Sequence, residues 1–366
     1  MNPLVELQAY GQSFWYDNIR RKFLHDGSLQ ALIDDDGLRG MTSNPAIFAK
    51  AIGGSDDYDG QMQELAASGA SSMDIYESLA MADIKMACDM FADLYAETSG
   101  ADGYVSLEVS PHLARDTDGT VAEARRLFTA VNRRNLMIKV PATPEGIPAI
   151  QQLIGDGINV NITLMFNMKH YEDVAQAYIA GLKQLLANGG DPQKVASVAS
   201  FFVSRVDAAV DKKLEALNDP AAETLMGKAG IANCRVVYQR FKQIFHGEEF
   251  EALQASGAAR QRLLWASTST KNPSYPDTMY IDELVGPETV NTMPPKTLEA
   301  FRDHGSVANR IEAEVEDAYT TLDHLAELQI DLNEITEKLQ DDGVDSFSNA
   351  FDQLINTITE KKAALM

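Results

Sequence analysis

The sequence contains only two cysteines, Cys88 and Cys234, among its 366 residues. Two thiols so far apart in the chain predict neither a disulfide framework nor a thiolate metal site. The six histidines form no pair at a spacing typical of metal ligands, so we expect no metal site. So few cysteines are typical of a reducing compartment, and we expect a cytoplasmic protein.

Basic residues are scarce relative to acidic ones. The chain has 31 lysines and arginines against 54 aspartates and glutamates, which gives a formal net charge of -23. Such a negative field disfavours binding to nucleic acid and to anionic membranes. It also means that an anionic substrate would need a local cluster of basic side chains.

Long apolar runs are absent as well. No stretch reaches the roughly 18 consecutive apolar residues that a membrane helix needs. Residues 1–12 lack the basic region followed by an apolar run that marks a signal peptide. We therefore expect neither a membrane span nor a secretory leader.

The chain does contain a regular alternation of strand and helix signals. Most of the predicted strands are separated by segments with helical apolar spacing, which predicts a parallel sheet, and eight such strands fit a closed (β/α)8 TIM barrel of the α/β class. The predicted strands lie near residues 13–16, 37–42, 104–110, 136–143, 158–164, 195–203, 262–267 and 289–293.

Two domains are predicted from this pattern and from the charge distribution. Residues 1–305 would form the catalytic barrel, and residues 306–366 an acidic C-terminal helical extension packed on it. The extension carries 4 basic and 14 acidic residues. Its charges could form a solvated face, and the extension itself could cover the barrel mouth or mediate assembly.

The segment Leu136–Thr143 is apolar on both sides of Lys139. Lysine is rarely buried unless something pairs with it or uses it. Burial disfavours the charged form of an amine, and a neutral amine is the nucleophile of Schiff-base chemistry. Alternatively, Lys139 could protect an edge strand or extend to solvent. This segment alone leaves both interpretations open.

Two other predicted strands alternate between polar and apolar residues. Val105, Leu107 and Val109 alternate with serines and Glu108, and in residues 158–164 Val160, Ile162 and Leu164 alternate with asparagines and a threonine. Successive side chains of a strand point to opposite faces. Because helices cover the outer face of a barrel, the polar side chains should point to its interior or its mouth.

Polar residues collect at the predicted C-terminal ends of the strands, where such barrels place their active sites. One lysine, two carboxylates and several neutral hydrogen-bonding groups predict a carbonyl-condensing site, and two basic groups suit a phosphate. Simpler alternatives exist: a helix N-cap for Asp17, a turn for Asn44, an edge strand for Glu108, a helix-start or surface position for Arg205 and a loop for Lys271. The candidates are Asp17, Asn44, Glu108, Lys139, Asn161, Thr163, Ser200, Arg205 and Lys271.

Several segments resemble the transaldolase family. Met41–Ala46 (MTSNPA) and Ile138–Thr143 (IKVPAT) are similar to its two signatures. Ser106–Val109, Asn159–Leu164 and Phe202–Arg205 occur in the order that the family requires.

The resemblance covers roughly residues 10–305 and is to the longer bacterial members. It implies a Schiff-base enzyme of the class I aldolase superfamily that acts in the non-oxidative pentose phosphate pathway. Its substrates would be sugar phosphates: sedoheptulose 7-phosphate and glyceraldehyde 3-phosphate would give erythrose 4-phosphate and fructose 6-phosphate. No metal or organic cofactor would take part, and we expect a monomer or homodimer.

The resemblance also implies a role for each candidate residue. Shorter members have an arginine where Lys271 stands, and a lysine lacks the bidentate fork of arginine. The implied roles are the Schiff base for Lys139, dehydration through a water for Glu108 and Thr163, proton transfer at the C4 hydroxyl for Asp17, binding of the dihydroxyacetone hydroxyls for Asn44 and Asn161, and phosphate binding for Ser200, Arg205 and Lys271.

Two rival functions remain open at this point. One is an aldolase of the same superfamily, which releases free dihydroxyacetone; Glu108, and Phe202 in place of a tyrosine, favour the transferase. The other is a non-catalytic barrel that binds sugar phosphates or serves in assembly. Against it, every acid, base and nucleophile position is filled.

Overall fold

A computed structural model describes residues 2–366 of the chain. Within that range eight parallel strands close into a barrel in sequence order, with β1 paired to both β2 and β8, so the predicted (β/α)8 barrel is confirmed. The strands are β1 (Gln12–Asp17), β2 (Gly40–Thr42), β3 (Tyr104–Glu108), β4 (Leu136–Pro141), β5 (Val160–Met165), β6 (Ser197–Phe202), β7 (Arg262–Ala266) and β8 (Thr289–Met293).

Helices surround the barrel, and none of those within residues 2–366 has the length and apolarity needed to cross a membrane. Short 3-10 helices lie at Leu7–Tyr10, Pro111–Leu113 and Pro192–Lys194. The α-helices are α1 (Pro3–Glu6), α2 (Arg21–His25), α3 (Ser28–Asp35), α4 (Pro45–Gly53), α5 (Asp59–Ala67), α6 (Ser72–Met90), α7 (Ala92–Glu97), α8 (Thr117–Val131), α9 (Gly146–Gly155), α10 (Met168–Ala187), α11 (Ser204–Leu217), α12 (Pro220–Glu223), α13 (Ala229–Phe245), α14 (Glu248–Ala255), α15 (Met279–Asp282), α16 (Pro295–His304), α17 (Val315–Glu327) and α18 (Leu332–Leu365).

The second strand is shorter than the sequence predicts. It begins at Gly40 instead of residue 37, because Gly37 has φ 70° and belongs to the end of α3. The backbone N–H of Leu38 donates to the carbonyl of Leu32 at 3.0 Å, which is the hydrogen bond of a glycine-terminated helix. Glycine adopts this left-handed conformation without the steric cost that a side chain would add.

The register of the barrel brings three candidate residues to one level. Glu108 on β3 pairs with Lys139 on β4, and Lys139 pairs with Asn161 on β5. Val105 and Leu107 pack in the cluster between strands and helices, so the predicted alternation of β3 is confirmed. Since the sheet is closed, the edge-strand interpretations of Glu108 and Lys139 are wrong.

The fifth strand departs from its predicted alternation. Val160 and Ile162 pack in the same hydrophobic cluster between strands and helices as Val105 and Leu107, as expected. Leu164 instead belongs to a second, separate hydrophobic cluster. The register of β5 with β6 shifts between Ile162 and Met165, and Leu164 has φ 61°. A β-bulge of this kind re-aims a side chain and increases the local bend. It turns Leu164 toward the helix that crosses the barrel mouth.

That helix is α18, whose 34 residues would extend about 50 Å. Gln340 Nε2 donates to the carbonyls of Ala142 and Leu164, both at 3.0 Å, and so joins α18 to the segments that follow β4 and lie in β5. At Gly343 an added Cβ would lie 2.9 Å from Leu164 Cδ2, so a larger residue there would require the Leu164 side chain to shift. The helix therefore lies directly over the barrel mouth. The division into domains 1–305 and 306–366 stays a prediction.

We predict that Gln340→Ala lowers the free energy of unfolding by about 1–3 kcal/mol, because two buried carbonyls lose their donor. Denaturant unfolding would measure the change. Gln353→Ala makes the same substitution at an exposed position of α18 and should change stability by no more than about 0.5 kcal/mol. Equal effects of the two substitutions would show that the Gln340 contacts contribute nothing specific.

Candidate active site

A cavity of about 250 Å³ opens at the C-terminal ends of the strands. Its wall also includes Thr42, Phe202, Thr292 and, from α18, Phe347. Glu108 and Asn161 do not line it, although both lie beside Lys139 in the barrel register. The candidate residues that line it are Asp17, Asn44, Lys139, Thr163, Ser200, Arg205 and Lys271.

Lys139 is buried, with 6% of its surface exposed, so it does not extend to solvent. Its Nζ donates to the carbonyl of Ser43 at 3.2 Å and lies 3.3 Å from Glu108 Oε2. Glu108 approaches the amine from outside the cavity and is itself only 8% exposed. The amine is thus held between a carboxylate and a carbonyl, with the cavity on its remaining side.

Burial raises the pKa of Glu108, and the positive charge of Lys139 opposes that rise only in part. A carboxyl group with a raised pKa can both hold and release a proton closer to neutral pH, which is the property of a general acid–base group. Glu108 is therefore suited to transfer protons at the lysine amine.

Glu108 Oε2 and Thr163 Oγ1 are two buried polar atoms with no hydrogen-bond partner within residues 2–366. The contact between Glu108 Oε2 and Lys139 is an ion pair without hydrogen-bond geometry. Buried polar atoms of this kind commonly bind ordered water. Glu108 lies on β3 and Thr163 on β5, on either side of β4. This position suits the binding of a water molecule near Lys139 Nζ.

Asp17 lies at the end of β1 and accepts a hydrogen bond from Thr42 Oγ1 at 2.7 Å. The N-cap of α2 is Arg20, so the N-cap interpretation of Asp17 is wrong. Burial raises the pKa of Asp17, while the charge of Lys139 and the hydrogen bond from Thr42 act in the opposite direction. Thr42 in turn contacts Thr292, whose Oγ1 is 2.7 Å from its own.

The two asparagines are held differently. Asn44 caps α4, since its side chain accepts from the backbone N–H of Ile47 at 3.0 Å, which leaves the amide N–H groups for a ligand. Asn161 is fully buried, and both ends of its amide are occupied. It donates to Ser106 Oγ at 2.9 Å and accepts from Ser200 Oγ at 2.7 Å. Ser106 was not among the predicted site residues.

Arg205 and Lys271 form the basic part of the cavity. Arg205 does lie in the first turn of α11, but its guanidinium packs over the ring of Phe202 at 5.1 Å. Burial lowers the pKa of Arg205. Burial and then the charge of Arg205 lower the pKa of Lys271, whose Nζ donates to Ser269 Oγ at 2.7 Å.

No carboxylate oxygen within residues 2–366 lies within 4.0 Å of the charged nitrogens of Arg205 or Lys271. Two neighbouring cations without such a partner form a site for an anion. No group of three or more His, Cys, Asp or Glu residues in the same range is arranged to hold a metal ion. The cavity is therefore suited to an anionic organic substrate.

Sequence reasoning missed two kinds of residue. Thr42 is the last residue of β2 and opens the polar Thr-Ser-Asn segment, so the sequence indicated its position at the strand end but not its hydrogen bond to Asp17. Phe347 belongs to a helix far along the chain, and nothing in its local sequence distinguishes it from an ordinary apolar residue of an amphipathic helix.

A (β/α)8 barrel with a buried lysine beside two carboxylates and next to an anion site defines a class of enzyme that acts on carbonyl compounds through a lysine Schiff base. A family model described as transaldolase/fructose-6-phosphate aldolase matches residues 14–358. The chain belongs to this family. The match extends past β8 and through most of α18.

Individual relatives agree with the family assignment. A protein named transaldolase from Trichodesmium erythraeum is 47% identical in an alignment of 370 positions, gaps included. The alignment covers 98% of this chain and 97% of that protein. Another, from Parafrankia sp., is 48% identical over 98% of each chain. A protein named transaldolase 2 from Nostoc punctiforme is 46% identical over 98% of this chain and 97% of its own length.

We predict that Thr42→Val moves the acidic limb of the pH profile of kcat/KM to higher pH. The hydroxyl of Thr42 stabilises ionised Asp17, so its loss raises the pKa of Asp17 further. If Asp17 is the base of the reaction, it must be ionised to act. The pH profile of kcat/KM reports the pKa values of such groups in the free enzyme. Initial rates measured across the acidic range would give the limb.

Thr292→Val is the matched control for this prediction. It removes the hydroxyl that contacts Thr42 but keeps the bond from Thr42 to Asp17, so the limb should stay near its wild-type position. A limb that does not move in Thr42→Val would contradict the role of this hydrogen bond.

Proposed function

We propose that the nine candidate residues carry out the transaldolase reaction of this family, with Lys139 as the nucleophile. A dihydroxyacetone unit moves from a ketose phosphate (sedoheptulose 7-phosphate or fructose 6-phosphate) to an aldose phosphate (glyceraldehyde 3-phosphate or erythrose 4-phosphate). The observation that carries the proposal is the buried contact of 3.3 Å between Lys139 Nζ and Glu108 Oε2, next to a cavity that Asp17 also lines.

The first step joins substrate and enzyme. Lys139 Nζ attacks the C2 carbonyl of the ketose phosphate, and the carbinolamine loses water to give an iminium ion. Glu108 supplies the proton for the departing hydroxyl, either directly or through a water held with Thr163. Burial raises the pKa of Glu108, which brings proton donation by this carboxyl closer to neutral pH.

The second step breaks the C3–C4 bond. Asp17 takes the proton from the C4 hydroxyl, the aldose phosphate leaves, and the bonding electrons move into the iminium to form an enamine. Asn44 and Asn161 hold the hydroxyls of the three-carbon unit, Asn161 through the Ser106 and Ser200 hydroxyls that it already contacts. The acceptor aldehyde then reacts in the reverse sense, and Asp17 returns the proton.

The phosphate of either sugar binds at Arg205 and Lys271, with Ser200 nearby on the cavity wall. Arg205 follows the end of β6 by three residues and Lys271 follows the end of β7 by five, so both lie at the C-terminal face of the barrel, near the side where such barrels often hold phosphate. Because the whole chain carries a net charge of -23, this basic pair is needed to attract an anionic substrate.

The competing activity is release of free dihydroxyacetone, as in an aldolase. The side chain of Phe202 lines the cavity and brings no hydroxyl to it. The resemblance to the family implies that a phenylalanine at this position, in place of a tyrosine, favours transfer. The relatives named transaldolase support the same choice. We further propose a cytoplasmic monomer or homodimer, which light scattering after size exclusion would test.

Borohydride trapping tests the nucleophile. Incubation with fructose 6-phosphate and borohydride should reduce the iminium and leave a stable adduct on the peptide that contains Lys139, read by peptide mass. Lys271→Ala is the control, since it removes the other lysine of the cavity; at saturating fructose 6-phosphate, which offsets its weaker phosphate binding, it should keep the adduct. Lys139→Ala should abolish it and lower turnover by at least about 10⁴-fold. An adduct on Lys271, or none at all on folded protein, would refute the proposal.

The same trapping distinguishes the role of Asp17. Wild-type enzyme should carry a three-carbon adduct after cleavage, whereas Asp17→Asn should carry the intact six-carbon phosphate, because cleavage slows by roughly 10²–10⁴-fold without the base. Intact mass separates the two adducts directly. A three-carbon adduct that forms on Asp17→Asn at the wild-type rate would exclude Asp17 as the base.

A further inference from the structure

Phe347 is the residue of α18 that reaches the active-site cavity. Its ring centroid is 5.5 Å from Lys139 Nζ and 5.9 Å from the guanidinium carbon of Arg205. One aromatic ring thus lies near both the nucleophile and a cation of the anion site. Phe202 contacts Arg205 from the barrel side, at 5.1 Å.

The position of this ring is fixed by contacts elsewhere on the same helix face. Gly343 and Gln340 lie four and seven residues before Phe347, which is the spacing of one helical face. Gly343 allows α18 to touch Leu164, and Gln340 binds the carbonyls of Ala142 and Leu164. These contacts hold the helix at a set depth over the mouth, and the ring with it.

We propose that Phe347 determines whether the three-carbon unit is transferred or released, because its ring shields that unit from solvent. The inference rests on the proposed Schiff base at Lys139. The enamine carbon is two bonds from Nζ, and Nζ lies under the ring. Phe347 is a specificity-determining residue in this sense, and no proton is transferred by it.

The two outcomes differ in what reaches the enamine carbon. In transfer, that carbon forms a bond to the acceptor aldehyde, and the aldehyde oxygen takes a proton from Asp17. In release, the carbon instead takes a proton that originates from solvent, water adds to the resulting iminium carbon, and the C–N bond breaks to give free dihydroxyacetone and the lysine amine. A ring over the site hinders solvent access to the carbon.

The ring also favours the charged intermediate. The iminium ion is a cation at Nζ, and a cation near the face of an aromatic ring is stabilised electrostatically, more strongly where water is excluded. An aliphatic side chain of similar volume would cover the site but lack this interaction. The iminium ion forms in both outcomes, so this interaction supports the Schiff base in either case, whereas the hindered access of solvent lowers the rate of release relative to the rate of transfer.

The test measures release and transfer in one assay. Glyceraldehyde 3-phosphate formed from fructose 6-phosphate after the first turnover reports release when no acceptor is present, and it reports transfer plus release when erythrose 4-phosphate is added. Phe347→Ala should raise the ratio of release to transfer at least about threefold over wild type. Phe347→Leu should also raise the ratio of release to transfer, by no more than Phe347→Ala does. The leucine variant replaces the alanine variant in the test if alanine destabilises α18.

Phe351→Leu is the matched control. Phe351 lies one helical turn further along α18 and packs edge-on against Tyr76 instead of the cavity. It should change the thermal stability of the protein without changing the ratio. A purely structural role of Phe347 would lower release and transfer together and leave the ratio unchanged, which would overturn the inference.

Borohydride trapping on each variant separates the two proposals. If wild type and variants carry the adduct at Lys139 and the ratio rises only in the Phe347 variants, the inference holds. If the adduct forms but the ratio stays constant, the role of Phe347 is refuted while the Schiff base stands. If wild type forms no adduct, the proposed function itself fails.

Discussion

The contact between the amine of Lys139 and the carboxylate of Glu108 is the constraint on which the rest of the site depends. Removing two charges from water costs several kcal/mol for each ion, and a single contact of this kind rarely repays that cost. The closed barrel provides what the pair needs, because adjacent strands hold both side chains at one level and the carbonyl of Ser43 accepts a further hydrogen bond. Asp17 lines the same cavity, and burial raises its pKa as well.

Much of this arrangement could be predicted from the sequence, because it follows from local rules. Alternation along β3 assigned Glu108 to the barrel interior, and the apolar segment around Lys139 indicated burial. The C-terminal ends of parallel strands must meet at one end of a barrel, so residues as distant as Asp17 and Lys271 could be assigned to one site. None of these steps required knowledge of a specific tertiary contact.

The features that could not be predicted depend on such contacts. The bulge at Leu164 is stabilised by a glutamine 176 residues away, and the local pattern of β5 shows only regular alternation. The N-cap interpretation of Asp17 failed because α2 begins only at Arg21, and the partner of the Asp17 carboxylate is a threonine 25 residues away. The position of α18 over the mouth depends on the bonds from Gln340 to the carbonyls of Ala142 and Leu164 and on the close approach of Gly343 to Leu164. In the sequence, Gly343 indicates only a residue that weakens a helix.

The path of α18 has a consequence for how the protein is made. Gln340 binds a carbonyl that precedes it by 198 residues, so the covering of the mouth is synthesised after all eight strands. The growing chain can therefore complete the barrel, with its lysine and both carboxylates in place, while the mouth is still uncovered. The reactive side chains would then be in place before the intermediate can be protected. Protection would begin only when α18 docks over the barrel mouth.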